Sequence, residues 1–319
     1  MDPALFAADL ADKPARLAAL ADVLASEDPW EALPTSVRRV IFVGMGSSAF
    51  ASGVVASRLR ARGFDAVSEI ASSDVPPEVR EGDVVVAVSA GGGSRETVAA
   101  VEHYRDRAPV VLLTNKPESA LAQSVSTVVD MRAEVERGGV ACRSFQHTLI
   151  QLLALERHLV GSGRDLPDLV RASADAGAGL AARTARWLPR VVELLDGPDG
   201  VHVVAPVSRL SSAQQSALML REGPRRAAQA HETGDWSHVE VYLTKTTDYR
   251  LLLLAGSRWE DELLRWCAER GSTVVALGSD VEGAAYSLRY DGDTDDDVRL
   301  LTEVLVAELV AAELWSTAR

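Results

Sequence analysis

VVVAVSAGGGSRETVAAV, residues Val84–Val101, is the stretch on which the fold turns. Val84–Val88 is a short apolar run rich in β-branched residues, which predicts a buried strand. Ser89 follows at once, and Gly91-Gly92-Gly93 let backbone N–H groups approach a ligand with no side chain in the way. Ser94 stands where a helix N-cap belongs and opens a helix over 95–107. A strand, a Ser/Gly loop and a helix N-terminus in succession make an anion site, because unpaired N–H groups and the helix dipole point at one spot.

The same grammar extends on both sides. An amphipathic helix is predicted over 4–25 and a strand over 39–43. A second Ser/Gly turn, Gly44-Met45-Gly46-Ser47-Ser48, leads into a helix over 49–62. Strands follow at 65–70, 109–113 and 125–130, with a short helix near 118–123. Strands alternating with helices predict a parallel sheet covered on both faces, with ligands beyond the carboxyl ends of the strands, where both Ser/Gly turns fall. The polar loop 131–144 runs into a helix from Cys142 to Gly161. Residues 161–168, GSGRDLPD, form the linker candidate before a long helix over 168–195.

The pattern then returns. Strands are predicted at 201–205, 251–254, 274–277 and 285–290, with helices at 210–222, 259–270 and 295–317. Val110 corresponds to Val274, Glu118 to Glu282 and Ser94 to Ser257, a steady offset of 163 or 164 positions. The expected fold class is therefore α/β, as two tandem doubly wound, flavodoxin-like parallel-sheet domains over 1–165 and 166–319. The second half has lost the glycines: Gly44-x-Gly46 becomes Ala205-x-Val207, and nothing matches Gly91-Gly92-Gly93 before Ser257. The anion site is expected in the first half only.

Composition narrows the partners. The 319 residues carry a formal net charge of −13 and no Lys/Arg cluster, a balance that repels a nucleic-acid backbone, so no nucleic-acid partner is expected. Two cysteines, Cys142 and Cys267, have no metal spacing and no disulfide framework, which fits a cytoplasmic location. The start, MDPALFAADL, is acidic and lacks an apolar core, so no signal peptide is expected, and no apolar run predicts a membrane span.

Two further stretches carry chemistry. Glu222 ends a predicted helix just before Gly223-Pro224, where the unfavourable end of the helix dipole raises a carboxyl pKa toward useful base strength. Residues 230–240, AHETGDWSHVE, are dense in histidine and acid and too irregular for a helix or an alternating strand. An imidazole there can give or take a proton near neutral pH. The spacing of His231 and His238 matches no established metal motif, and no metal site is expected.

Together these residues resemble the sugar isomerase (SIS) family in its tandem form, with the pattern of the isomerase part of glucosamine-6-phosphate synthase. Gly44–Ser48 is similar to the family's G-x-G-[ST]-S turn, and Ser89–Ser94 to its S-x-S-G-x-T phosphosugar loop. Glu136–Phe145 resembles its E-x-G-V-A-S-T-K-x-F segment. Leu218–Glu222 resembles the helix ending in K-E, and Gly234-Asp235-x-x-His238 resembles G-E-L-K-H, with the sixteen-residue interval from Glu222 to His238 kept without a gap. The resemblance implies a phosphosugar aldose–ketose isomerase working through an enediol. Gly46, Ser47, Ser48, Ser89, Gly91, Gly92, Ser94 and Gly139 would hold the phosphosugar, and Glu222 would be the base. His238, supplied by a neighbouring subunit of a homodimer, would help open the ring. It implies no metal or redox cofactor.

Three departures stand out. Ala90 and Gly91 replace polar side chains of the family's loop. Met219 stands where the family has a lysine, with Arg143 or Arg225 as candidate replacements. The tail Trp315–Arg319 lacks the family's lysine, and no glutaminase domain is expected. The alternatives left open are a deglycase or deaminase of amino sugar phosphates, and a non-catalytic phosphosugar sensor.

Overall fold

The computed structural model of the protein describes residues 1–161 and 163–317. Its contacts group into two compact units. One comprises Ala19–Val135 and Arg143–Asp168, and the other Met1–Ala18, Glu136–Cys142 and Leu169–Arg319. The helix α1 (Pro3–Leu24) contributes to both. Ser162 of the linker candidate, and Ala318 and Arg319 of the tail, lie outside the described residues.

The first unit holds β1 (Arg39–Gly44), α2 (Ser47–Ala61), β2 (Asp65–Ile70), β3 (Asp83–Val88), α3 (Arg95–Tyr104), β4 (Val110–Thr114), α4 (Ala120–Gln123), β5 (Thr127–Asp130) and α5 (Arg143–Val160). The strands form one parallel sheet in the order β2-β1-β3-β4-β5. Every residue of β3 and β4 is buried, as a central parallel strand covered by helices on both faces requires. One face packs Ile41, Val85, Ala87 and Leu112 against Val101 and Tyr104 of α3. Asp83 begins β3 fully buried. Arg38 and Arg39 each lie 2.7 Å from its carboxylate, and their charge together with the Arg80 amide holds its pKa below the usual value against the opposing pull of burial.

In the second unit α6 (Leu166–Ala182), whose first turn falls in the first unit, and α7 (Thr184–Leu195) precede β6 (Val201–Ala205), α8 (Leu210–Glu222), β7 (Ala228–Glu232), α9 (Thr233–Val239), β8 (Arg250–Leu254), α10 (Glu260–Glu269), β9 (Thr273–Leu277), β10 (Tyr286–Leu288), α11 (Asp296–Thr302) and α12 (Val304–Thr317). The strand order is β10-β9-β8-β6-β7, again all parallel. Numbered from its own first strand, each sheet runs 2-1-3-4-5, the flavodoxin-like order. The repeat seen as an offset in sequence is thus a repeat of topology.

Three expectations are corrected. The helix over 168–195 is two helices: Thr184 Oγ1 and Trp187 Nε1 donate to the carbonyls of Ala181 and Leu180, and Pro189 withholds a backbone donor one turn later. The helix over 295–317 is interrupted at Glu303, a fully buried carboxylate held by arginines. Residues 230–240 are ordered, not irregular. The polar run Ala228–Glu232 is an edge strand beside β6, and Glu232 then caps α9, its Oε2 accepting from the amides of Gly234 (2.8 Å) and Asp235 (3.0 Å). Trp236 of α9 is fully buried and donates to Tyr249 Oη at 2.7 Å.

Candidate functional site

In the first unit the two Ser/Gly turns leave the sheet side by side. Gly44 pairs with Val88 at the last rung of β1 and β3, the point where strand order reverses. A Cβ on Gly44 would lie 2.9 Å from Ser48 Cβ and 3.1 Å from the Val88 carbonyl, so only glycine lets this turn pass. Gly46, at φ +51°, precedes α2 and puts Ser47 and Ser48 in its first turn, both half-buried. Beyond β3 the buried Ser89 donates its amide to the Leu113 carbonyl and accepts from the Gly92 amide, both at 3.0 Å. Gly92 has φ +62°, and a Cβ there would meet Ser119 Oγ at 2.6 Å.

Gly91 and Gly93 differ from these. Both are exposed at negative or extended φ, and an added Cβ would meet nothing closer than 3.9 Å. Neither packing nor backbone demands glycine, and their amides have no acceptor among the described residues. They are open donors at the start of α3. Ser94 is committed locally: its Oγ accepts from the Thr97 amide at 3.3 Å and donates to Thr97 Oγ1 at 2.7 Å. It shapes the helix start, and its hydroxyl proton is already given. A cavity of about 140 Å³ in this unit lies between β1, β2 and α3, lined by Val43, Glu69, Ala71, His103 and Tyr104 among others, and none of the predicted phosphate residues line it.

The equivalent turns of the second unit are filled by the chain itself. Arg209, just after β6, is buried and donates Nη1 to both carboxylate oxygens of Glu303, at 2.6 and 2.8 Å, and Nη2 to the Ala255 carbonyl after β8. Arg299 donates to the Gly278 carbonyl after β9 at 2.6 Å and lies 3.6 Å from Glu303. A Cβ on Gly256 or Gly278 would strike the Arg299 guanidinium, at 2.8 and 2.7 Å. Burial pushes the Glu303 carboxyl up, against the pull of Arg209 and Arg299. Glu260 Oε1 accepts from the amides of Gly256 and Ser257, which stand where Gly93 and Ser94 stand in the first unit, so one glycine of the triplet, Gly93, does have a counterpart before Ser257. Glu260 therefore occupies the Gly256 amide, whose counterpart at Gly93 the first unit leaves open, while Glu303 is held at the second switch point by Arg209 and Arg299.

The candidate base belongs to this second unit. Glu222 closes α8, half-buried, with Gly223 as its C-cap. Burial raises its pKa above the ordinary 4.5, helped by the charge of Glu136 and opposed by Arg221 and Arg225. Glu136 is a neighbour that sequence reasoning gave no role. It sits in the Glu136–Cys142 segment of the same unit, and its Oε1 accepts from the Cys142 amide at 2.7 Å. That segment is clamped on α1: the Gly138 amide donates to Asp9 Oδ2 at 2.7 Å, and a Cβ on Gly138 would lie 2.6 Å from the Phe6 backbone. Gly139 is exposed at φ +72°. His238 is exposed on the last turn of α9.

The replacements considered for the lost lysine fare differently. Met219 is fully buried in the second unit's interior. Arg143 is buried in the first unit, donating to the Val135 carbonyl at 2.6 Å, which makes it a brace. Arg225 is exposed in the left-handed region at φ +60° and acts on Glu222 through its charge. Cys142 and Cys267 are buried, and burial pushes both thiols up, Cys267 to about 11, so neither is a nucleophile near neutral pH. No helix among the described residues is long and apolar enough to cross a membrane.

Comparison with known proteins agrees with this geometry. Residues 35–156, the first sheet with its Ser/Gly turns, match the SIS domain model. The chain is homologous to a glutamine–fructose-6-phosphate aminotransferase (isomerizing) from Sulfurisphaera tokodaii, with 26% identity over 215 residues. The match takes in 66% of this chain but 35% of the relative, so the chain spans about a third of that protein's length. Among solved structures, the C-terminal domain of glucosamine-fructose-6-phosphate aminotransferase from Francisella tularensis superposes with a TM-score of 0.84 at 14% identity, covering 97% of this chain and 95% of that one. Glucosamine-6-phosphate deaminase from Thermotoga maritima superposes with a TM-score of 0.75 at 16% identity, covering 98% and 94%. At these identities the likeness is one of fold.

Proposed function

We propose that the protein is a phosphosugar aldose–ketose isomerase built from two tandem SIS domains, in which Glu222 moves a proton between C1 and C2 through an enediol. One observation carries the reading. Two sheets of the same strand order treat their switch points oppositely: the second sets the Glu260 carboxylate on the Gly256 and Ser257 amides, while the first keeps bare amides at Gly91 and Gly93. A fold that fills one anion cradle with its own carboxylate and leaves the other open has a use for the open one. A phosphate ester supplies the missing negative charge at a helix N-terminus. Gly46, Ser47, Ser48, Ser89, Gly91 and Gly92 hold it, Ser94 by shaping the start of α3, and Gly139 lies in the sugar-contacting segment.

The chemistry needs a base whose pKa sits above that of a solvated carboxylate and donors for a developing oxyanion. The raised pKa of Glu222 supports the first requirement. No step requires a cofactor. His238, exposed on α9, is assigned to the site of a second copy in a homodimer, where it assists ring opening. Sedimentation of the active protein is expected to give a dimer, and a fully active monomer contradicts the shared site.

Binding is tested by calorimetric titration with fructose 6-phosphate. Saturable binding that inorganic phosphate competes away is expected. Gly92→Ala forces a side chain onto Ser119 and a left-handed backbone, and is expected to weaken that binding at least tenfold while lowering stability by about 1–3 kcal/mol. Binding indifferent to both phosphate and Gly92→Ala contradicts the cradle.

A further inference from the structure

Buried side chains in the second unit converge at a point the proposed isomerisation does not use. β6 and β7 are neighbours with Val204 opposite His231, so His202, two residues before Val204, shares the face of His231. The two imidazoles stack with centroids 6.1 Å apart. Glu240, the first residue after α9, reaches both: Oε2 lies 3.1 Å from His202 Nδ1, and Oε1 lies 3.3 Å from His231 Nε2. His202 is 5% exposed and Glu240 8%. Yet His202 Nδ1, His231 Nε2 and Glu240 Oε2 are buried atoms with no hydrogen-bond partner. The ring of His202 is fixed from behind by Tyr249, stacked at 4.1 Å, whose hydroxyl is held by Trp236.

We propose that His202, His231 and Glu240 form a binding site for one divalent first-row transition-metal cation of the zinc class, a site distinct from the proposed phosphosugar machinery. One ligand atom from each of the three residues lies within 4.8 Å of the others. A tetrahedral cation with bonds of about 2.1 Å sets its ligand atoms roughly 3.4 Å apart, within the 4.8 Å that bounds this set. Two imidazoles and one carboxylate are a donor set that Zn²⁺ accepts readily, with a fourth position for water. The cation ties β6 and β7 to the end of α9, the helix that carries His238. The sequence predicts no metal site, because the histidine that meets His231 is His202 of a neighbouring strand and not His238 of its own run.

The test is titration of chelator-stripped full-length protein with Zn²⁺, followed by calorimetry and by the thermal midpoint, with Co²⁺ as an optical probe. One equivalent is expected to bind, to raise the midpoint, and to give the visible absorption of four-coordinate Co²⁺. His231→Gln and Glu240→Gln are each expected to weaken binding at least 100-fold, and His103→Ala, in the other unit, to leave it unchanged. Circular dichroism of the stripped variants checks their folding, and His202→Gln serves if either is unfolded. No binding at about 100 μM Zn²⁺, or equal binding by the folded variants, overturns the proposal.

Discussion

Glu222→Gln is expected to lower the rate of phosphosugar isomerisation by about 10²–10⁴-fold while leaving fructose 6-phosphate affinity within a few-fold of wild type. The amide keeps the size of the side chain and removes its basicity. A loss of binding equal to the loss of rate would instead mark Glu222 as a substrate anchor. The pH profile gives an independent reading. A base must be ionised to accept a proton, so the rate falls as pH drops through the pKa of Glu222. Burial and the charge of Glu136 raise that pKa, which places the acidic limb above 4.5. Glu136→Gln removes the repulsion between the two carboxyls and is expected to move the limb toward lower pH.

The second large effect is on stability. Glu303→Gln is expected to cost about 3–5 kcal/mol, read as a fall in the thermal midpoint measured near pH 8, where the carboxylate is charged. Glu303 is fully buried with Arg209 at 2.6 Å, and its loss leaves the guanidinium of Arg209 and that of Arg299 together without their carboxylate. A stability unchanged within about 1 kcal/mol would mean that the ion pair is not the closure of this switch point.

Much of the fold is legible in sequence because parallel strands buried on both faces announce themselves as continuous apolar runs. VVVAV at 84–88 and VVLL at 110–113 need no context. The edge strand Ala228–Glu232 escapes for the opposite reason. Its sequence, AQAHE, is polar because Gln229 meets solvent and His231 faces the Glu240 carboxyl. The helix break at Glu303 escapes because a buried arginine distant in sequence sets it, and the break at Arg183 because Thr184 and Trp187 turn back onto carbonyls of the preceding turn, which residue type alone does not announce.

The candidate site divides in the same way. Ser/Gly turns at strand ends are local chemistry, and Gly44, Gly46 and Gly92 can be read from it. The filling of the second cradle cannot, because Arg209 and Glu303 are 94 residues apart and meet only in the fold. His202 is likewise invisible in VHVVA, an ordinary core strand until β7 and Glu240 are placed beside it.

The central claim is that a glutamate carries hydrogen between adjacent sugar carbons on a phosphate-anchored substrate. It is tested most directly by incubating the protein with fructose 6-phosphate in deuterated water and following solvent deuterium at C1 and C2. The account predicts incorporation by wild type and its loss in Glu222→Gln. Incorporation that persists undiminished in Glu222→Gln, or measurable phosphosugar binding with no incorporation at all, would contradict it.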